Sequence, residues 1–424
     1  KHYYRQLPSE QWDGMNADVA KRHLKVAYQL SGESENGIPS EIDAALHRIE
    51  TTKKVEAALP FVHNHDRLVM FNGALHLNTS TAKAWAPHLE AQEWGVNFPW
   101  IANHIDALFV HRMDDGTPIY IQRDVFLKWA SIWFRQIHEG KPSKGHALFI
   151  AGPAGTGKTL LTTNILGKLV GGFGDASAFL VGGSKYNDAL CGRALWTVDD
   201  SLPALTKGGH DQFSALLKAA VANGTVRFEK KFGASGDMPF YGRIIVTLND
   251  DPTSLSILPN AELNLMDKII LLQTTGKKAQ IKGDWYVMDE LINSELAAFA
   301  RFLLDYKPAD EPLEAVRFGF DAYHDANLAD EASANGPNGM LIGAIDTWRK
   351  LYADLRQEET EWVGSISELL GLMEGSTATQ VIARQTNVNR MGRAIKQALS
   401  EGCDWLAYFK ADRFTSRKVK VTLR

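Results

Sequence analysis

The chain has 424 residues, enough for two or three domains, and at 45% hydrophobic and 23% charged it has the composition of an ordinary globular protein. A formal charge of −4 excludes a globally basic nucleic-acid binder but leaves room for a locally basic face. Two distant cysteines, Cys191 and Cys403, argue against a disulfide framework and for a reducing cytoplasm, and no apolar run reaches the ~18 residues of a membrane span.

No signal peptide is visible, and the chain opens on Lys1 rather than Met, which keeps a missing upstream domain in view. Residues 1 to about 140 read as mainly helical. Ile42, Ala45, Leu46 and Ile49 follow the spacing of an apolar helix face, which Val55, Ala58 and Leu59 extend. Arg67 to Leu77 reads as two short strands around an Asn72-Gly73 turn, and residues 124–138 as a helix with one side toward a core. Gly140 and Pro142 then punctuate the chain.

From there strands and helices alternate. His146–Ala151, Arg193–Val198, Arg243–Leu248 and Lys268–Leu272 are buried strands; 158–170 and 211–222 are helices. That alternation predicts a mostly parallel α/β sheet. Residues 286–306 form a helix that Lys307 to Pro312 breaks, and 330–339 (DEASANGPNG) is the best linker in the chain. A small helical unit follows and ends in two strand-like runs, Trp405 to Lys410 and Arg417 to Leu423. The expected domains are thus a helical N-terminal collar (1–140), an α/β core (141–306), a linker and lid (307–339) and a C-terminal unit (340–424).

The chemistry concentrates in the core. Gly152-Pro153-Ala154-Gly155-Thr156-Gly157-Lys158-Thr159 fits G-x-x-x-x-G-K-[ST]. Its glycines let successive N–H groups turn inward around phosphates, Lys158 reaches the β- and γ-phosphates, and the Thr159 hydroxyl ligates Mg²⁺. A buried strand before the loop and a helix after it supply the required context, and the helix N-terminus favours an anion. The expected ligands are therefore ATP and Mg²⁺. Asp199 and Asp200 end the second strand, where open α/β sheets bind ligands. Asp199 would hold the metal and Asp200 would orient or deprotonate the attacking water. Asn249 ends the third strand and would bond the γ-phosphate or that water.

These three elements, in this order and this compactness, resemble the superfamily-3 helicases, P-loop ATPases of the AAA+ class, and among them the phage and plasmid primase-helicase family. The resemblance covers roughly residues 60–310, and Phe71 to Thr79 resembles that family's Asn-Gly-centred strand motif. It implies a homo-oligomeric ring, read as a hexamer, that translocates 3′ to 5′ on single-stranded DNA. A primase-polymerase domain or protein would be its partner, in the cytoplasm of a bacterial host. The family carries a DNA-gripping β-hairpin between its acids and its sensor. Here that interval holds Arg227, Lys230, Lys231 and Phe232, cations for phosphates and a ring for stacking. An arginine that reaches the neighbouring subunit's γ-phosphate usually precedes the final strand. Lys268 stands there instead, with Arg193 and Arg243 as the other candidates for this trans-acting role.

Residues 381–424 hold ten Lys/Arg against three acids, an excess of seven in a chain of net charge −4. Arg390, Arg393 and Lys396 share one side of a helix there, and the two strand-like runs would form a wing, so a basic winged helix for duplex DNA is expected. The bland alternative is a packing domain with a solvated basic face. Trp85, Trp94, Trp100, Trp129 and Trp133 read as core anchors, and His63, His65, His76, His88 and His104 lack metal-ligand spacing. The reading is an ATP-driven DNA helicase. Its rivals are a replication initiator or DNA-remodelling ATPase without processive unwinding, and a monomeric P-loop kinase of small molecules.

Overall fold

The computed structural model describes residues 2–9, 11–35, 37–184, 186–199, 207–223, 225–229, 235–259, 265–281, 283–308, 318–334, 337–400, 402–410 and 417–423. At the N-terminus, β1 (Tyr3–Gln6) and β2 (Trp12–Met15) pair antiparallel and meet α1 (Ala17–Tyr28) and α2 (Glu41–Thr52). Met15, Ala20, Ile42 and Leu46 close a small core of their own. Asn16 and Ser40 cap the two helices, each accepting from the amide three residues on. Next, β3 (Ala58–Leu59), β4 (Leu68–Phe71) and β5 (Ala74–Asn78) form a sheet in the order β3-β5-β4. The β4–β5 turn is the expected Asn72-Gly73, both at positive φ (49° and 78°). Short strands stand beside the helices throughout this region, so it is mixed rather than mainly helical.

The main core begins with α3 (Pro99–Phe109), a two-residue ribbon of β6 (His111–Arg112) and β7 (Pro118–Ile119), and α4 (Ile121–His138). After β8 (Ala147–Ala151) come a π-helical stretch, Leu160–Leu166, and its continuation α5 (Gly167–Leu169). The expected α-helix is widened because the Thr162 and Thr163 hydroxyls both donate to Thr159 O, at 3.1 and 2.8 Å. The chain continues through β9 (Phe173–Asp175), α6 (Ser177–Leu180), α7 (Asp188–Cys191), β10 (Leu195–Val198) and α8 (Lys207–Ala222). The hairpin β11 (Thr225–Glu229) and β12 (Ser235–Pro239), β13 (Arg243–Leu248), α9 (Pro252–Leu255), β14 (Ile269–Gln273) and α10 (Trp285–Asp305) complete the run.

Five of these strands form one parallel sheet in the order β14-β8-β13-β10-β9. Its strands β14, β8, β13 and β10 are largely apolar and buried because both faces are covered, while the edge strand β9 is partly exposed. Alternate side chains of β8 prove it: Leu148 and Ile150 enter the cluster with α3, α4 and α10, whereas Phe149 enters the one with Phe213 and Leu217 of α8. Helix α4 was expected in the N-terminal domain. Phe126, Trp129, Trp133 and Phe134 place it in the sheet's own core, so packing is continuous across residue 140.

The expected linker at 330–339 is largely helix. α11 (Ala326–Ala334) buries Leu328 and Ala332 against the sheet, and α12 (Pro337–Leu355) begins three residues later. The chain ahead of α11 is bonded to the sheet edge, with Leu271 N donating to Tyr323 O and Asp325 N to Leu271 O. The polar, alanine-rich composition that reads as a tether is that of a surface helix with one small apolar stripe. Beyond it, α12 packs with β15 (Glu361–Gly364), α13 (Ile366–Glu374), α14 (Gln380–Arg384), α15 (Val388–Ser400), β16 (Leu406–Lys410) and β17 (Arg417–Thr422) around a separate core. Its sheet is antiparallel in the order β15-β17-β16. Among the described residues no helix is long and apolar enough to cross a membrane.

One buried carboxylate ties the helical layer together. Phe98, ahead of α3, has no side chain that can cap a helix. Glu295 of α10, itself 5% exposed, supplies the cap by accepting from Trp100 N at 3.0 Å and Ile101 N at 2.8 Å. Glu295→Ala leaves two buried donors unpaired and is expected to destabilise the chain by about 2 kcal/mol or more in urea unfolding. Glu295→Gln, which keeps an acceptor oxygen, should lose less; equal losses would reject the cap as the reason.

Candidate functional site

At the C-terminal end of β8 the chain enters the loop Gly152–Thr159. Gly152, Gly155 and Gly157 adopt φ of 152°, 80° and 90°. Two of them also have no room for a side chain. A Cβ on Gly152 would lie 1.9 Å from Thr274 Oγ1, and one on Gly157 2.3 Å from His104 Cε1. The loop is folded around Lys158, which is 5% exposed. Its Nζ donates to Gly152 O (2.7 Å), Pro153 O (3.0 Å) and Asn249 Oδ1 (3.4 Å). Asn249 follows the last residue of β13, so the loop lysine and the strand-end amide, each expected to face the γ-phosphate, lie side by side.

Beside them, Asp199 follows β10 and receives two hydroxyls. Thr159 Oγ1 donates to its Oδ1 at 3.3 Å and Thr247 Oγ1 at 2.8 Å. Thr247 is a residue of this cluster that the sequence alone does not single out. Its signal was a polar side chain in the otherwise apolar run Ile244-Ile245-Val246-Thr247-Leu248. It is 3% exposed and fixes the carboxylate that faces the loop. Asp200 lies outside the described residues. A hydroxyl and a carboxylate are the hard-oxygen pair suited to a divalent cation that keeps other positions for water and phosphate. Among the described residues no three His, Cys, Asp or Glu side chains converge into an all-protein metal cage. The buried ammonium, the inward-turned glycine backbone and this pair together suit a polyphosphate with its metal ion.

His104, one of the histidines read as bland, supports the loop from below. It is 4% exposed, stacks on Trp100 at 5.0 Å between centroids, and its Nε2 lies 3.1 Å from Gly157 O. Burial pulls its pKa down to about 4, with the Gly157 bond opposing. The Glu295 cap, helix α3, His104 and Gly157 thus form one continuous support.

The three candidates for a trans-acting cation all lie at the other end of the sheet, ahead of β10, β13 and β14. Arg243 is 2% exposed and donates to Ser143 O (2.8 Å), Tyr241 O (3.2 Å), Gly242 O (3.3 Å) and Gln136 Oε1 (3.1 Å). Burial lowers its pKa to about 9. Lys268, 7% exposed, pairs with Asp267 at 2.5 Å. Both are buried and engaged with groups of this same chain, so neither extends from its surface. Arg193, by contrast, is exposed, beside Gly172.

The hairpin expected between acids and sensor is present as β11 and β12, register Glu229↔Ser235. Its tip, with Lys230, Lys231 and Phe232, lies outside the described residues. Arg227 is exposed and paired with Glu229 at 3.1 Å. The hairpin is moored by a residue the sequence did not flag, Asn187, 1% exposed. Asn187 Nδ2 donates to Arg227 O (2.7 Å) and its Oδ1 accepts from Glu229 N (2.8 Å). In the C-terminal unit, Arg393 and Lys396 are exposed on α15 and Arg390 is half-buried. Asn389 and Ser400 extend that exposed stripe.

The model of a family of unknown function (DUF5906) matches residues 150–260, which span the glycine loop, Asp199, the hairpin and Asn249. No curated protein matches the chain by sequence. Solved structures share its fold. An A-form apo structure of the NrS-1 C-terminal region has a TM-score of 0.55 at 12% identity, covering 99% of this chain and 94% of that one. An apo structure of that region, residues 305–718, scores 0.53 at 13% identity, covering 97% and 94%. A further A-form structure of residues 305–718 scores 0.55 at 11% identity, covering 97% and 91%.

Two outcomes follow from the supports. His63, His104 and His146 are each held near pKa 4 by burial, against 6.5 when unfolded. Folded-state pKa values below the unfolded one mean that stability is complete above about pH 6.5 and is lost as pH falls toward 4. Each histidine contributes a slope of up to about 1.4 kcal/mol per pH unit, read from urea midpoints, and His104→Gln should remove one share of it. Asn187→Ala should speed hydrogen exchange of the β11 and β12 amides while leaving β8 and β13 protected; unchanged hairpin exchange would reject the mooring.

Proposed function

We propose that this chain is an ATP-hydrolysing motor of the superfamily-3 helicase type that acts on DNA in replication. The observation that carries the reading is the convergence of Lys158, Thr159, Asp199, Thr247 and Asn249 where β8, β10 and β13 end. Five parallel strands with the loop-bearing strand between two others are the support such a site needs. The fold shared with the NrS-1 C-terminal region agrees with it.

In this reading the amides of residues 152–159 wrap the phosphates, and Lys158 exchanges its loop carbonyls for phosphate oxygens. Thr159 and Asp199 would hold a Mg²⁺ ion, which would supply charge neutralisation at the phosphates. Thr247 keeps Asp199 turned toward the loop. Asn249 orients the γ-phosphate or the attacking water, and Asp200 receives that water's proton. The hairpin moored by Asn187 carries Lys230, Lys231 and Phe232 to single-stranded DNA inside a ring, read as a hexamer, of such chains. Arg193, the exposed one of the three candidate cations, would complete each site from the neighbouring copy. α13 to α15 with the three-stranded sheet make a winged helix whose exposed Arg393 and Lys396 face duplex DNA.

That last feature also favours the second reading, a replication initiator or remodelling ATPase that grips duplex DNA without processive unwinding. Strand displacement from a forked DNA with ATP and Mg²⁺ separates the two. The motor reading expects displacement that needs a 3′ tail, with Lys158→Ala abolishing it and Asn249→Ala lowering kcat by about 10²-fold with KM little changed. Hydrolysis without displacement would favour the initiator, and no hydrolysis at all would reject both.

A further inference from the structure

Past β14 the chain stays at the site. Thr274 N donates to Ala151 O at 2.8 Å, and Thr274 Oγ1 is buried against Gly152 with no hydrogen-bond partner among the described residues. Thr275 is anchored to α3, its N donating to Leu108 O at 2.9 Å and its Oγ1 to Ala107 O at 2.5 Å. Gly276 turns at φ 81°, with Pro153 Cγ 3.7 Å from where a Cβ would stand. Ala279 N then donates to Gly155 O at 3.0 Å, and Trp100 Nε1 to Gln280 O at 3.0 Å. Residues 274–280 therefore form a wall pinned to the glycine loop at its base and at its tip. Between the pins stand two adjacent cations, Lys277 and Lys278, both exposed and in no ion pair among the described residues.

The direction of a bound nucleotide follows from the sheet order. Lys158 meets Asn249 and Thr159 meets Asp199, so the reacting end lies over β13 and β10. β14 flanks β8 on the opposite side. The wall that grows from β14 thus borders the other end of the triphosphate. We propose that Lys277 and Lys278 bind the nucleotide in the same subunit, at its α-phosphate and ribose end. This inference rests on the nucleotide site proposed above. A rigid wall makes it physically reasonable: the backbone bonds that fix the segment are already in place, so only two side chains need ordering on binding.

A contact at that end is the same for ATP and ADP, and the same before and during reaction. It therefore acts on affinity and on KM, and not on the chemical step. The test is the Lys277→Ala, Lys278→Ala double variant of the full chain, titrated with ATP and with ADP and assayed for hydrolysis. Both nucleotides should bind about tenfold more weakly, by a similar factor, and the loss in hydrolysis should fall on KM. The Arg-for-Lys double variant should restore binding. Unchanged affinity for both nucleotides, while Lys158→Ala abolishes binding, would overturn the assignment and leave the nucleotide site standing. Loss confined to stimulation by DNA would overturn it too, by moving the two lysines to a DNA contact. Failure of the unsubstituted chain to bind either nucleotide would remove the site and this inference with it.

Discussion

Everything at the candidate site depends on a sheet whose strands β8, β10 and β13, which end at that site, are shut off from water on both faces. Such a sheet is stable only if apolar side chains cover it from both sides, and here Leu148 and Phe149, adjacent in sequence, serve opposite layers. Covering both faces forces the connections over the edges, so the strand ends are the places left for polar groups. Lys158, Asp199 and Asn249 sit at one row of ends, while Arg243 and Lys268 fill the other with internal hydrogen bonds and an ion pair. The two ends thus have different jobs. One gathers the candidate site's side chains, and at the other Arg243 and Lys268 are buried while Arg193 is exposed.

The nucleotide reading and the DNA reading draw on different parts of that frame. The loop, the acid and the sensor are rigidly supported, through Glu295, α3 and His104 on one side and Thr247 on the other. The hairpin is moored at its base, by Asn187 through side chain and backbone and by Val226 in the core. That contrast suits a machine in which a fixed chemical centre drives an arm. It is also the arrangement that an initiator would need to remodel bound DNA.

Much of the centre was legible in the sequence because its signals are local. Gly152 to Thr159 is contiguous, and Asp199 and Asn249 each end an apolar run that can only be a buried strand. The same holds for the Asn72-Gly73 turn, which backbone conformation alone dictates. What was hidden depends on partners distant in sequence. Glu295 reads as an ordinary helical acid until Trp100 and Ile101, almost two hundred residues earlier, are seen to donate to it. His104, Thr247 and Asn187 are lone polar residues whose meaning lies in what packs on them. Composition misled at 330–339, where alanines and acids suit a surface helix as well as a tether, and α4 was assigned by chain position to a domain that its tryptophans do not serve.

The position of Lys158 has a thermodynamic side. Its ammonium is not waiting in water; two loop carbonyls and an amide oxygen hold it where a phosphate would. A ligand entering there trades one set of charge–dipole contacts for another, so the gain from that side chain is the difference between them. Departure is eased for the same reason, since the carbonyls take the cation back as the anion leaves. In the proposed ATPase, a loop that closes on its own cation in this way would favour release of product over its retention.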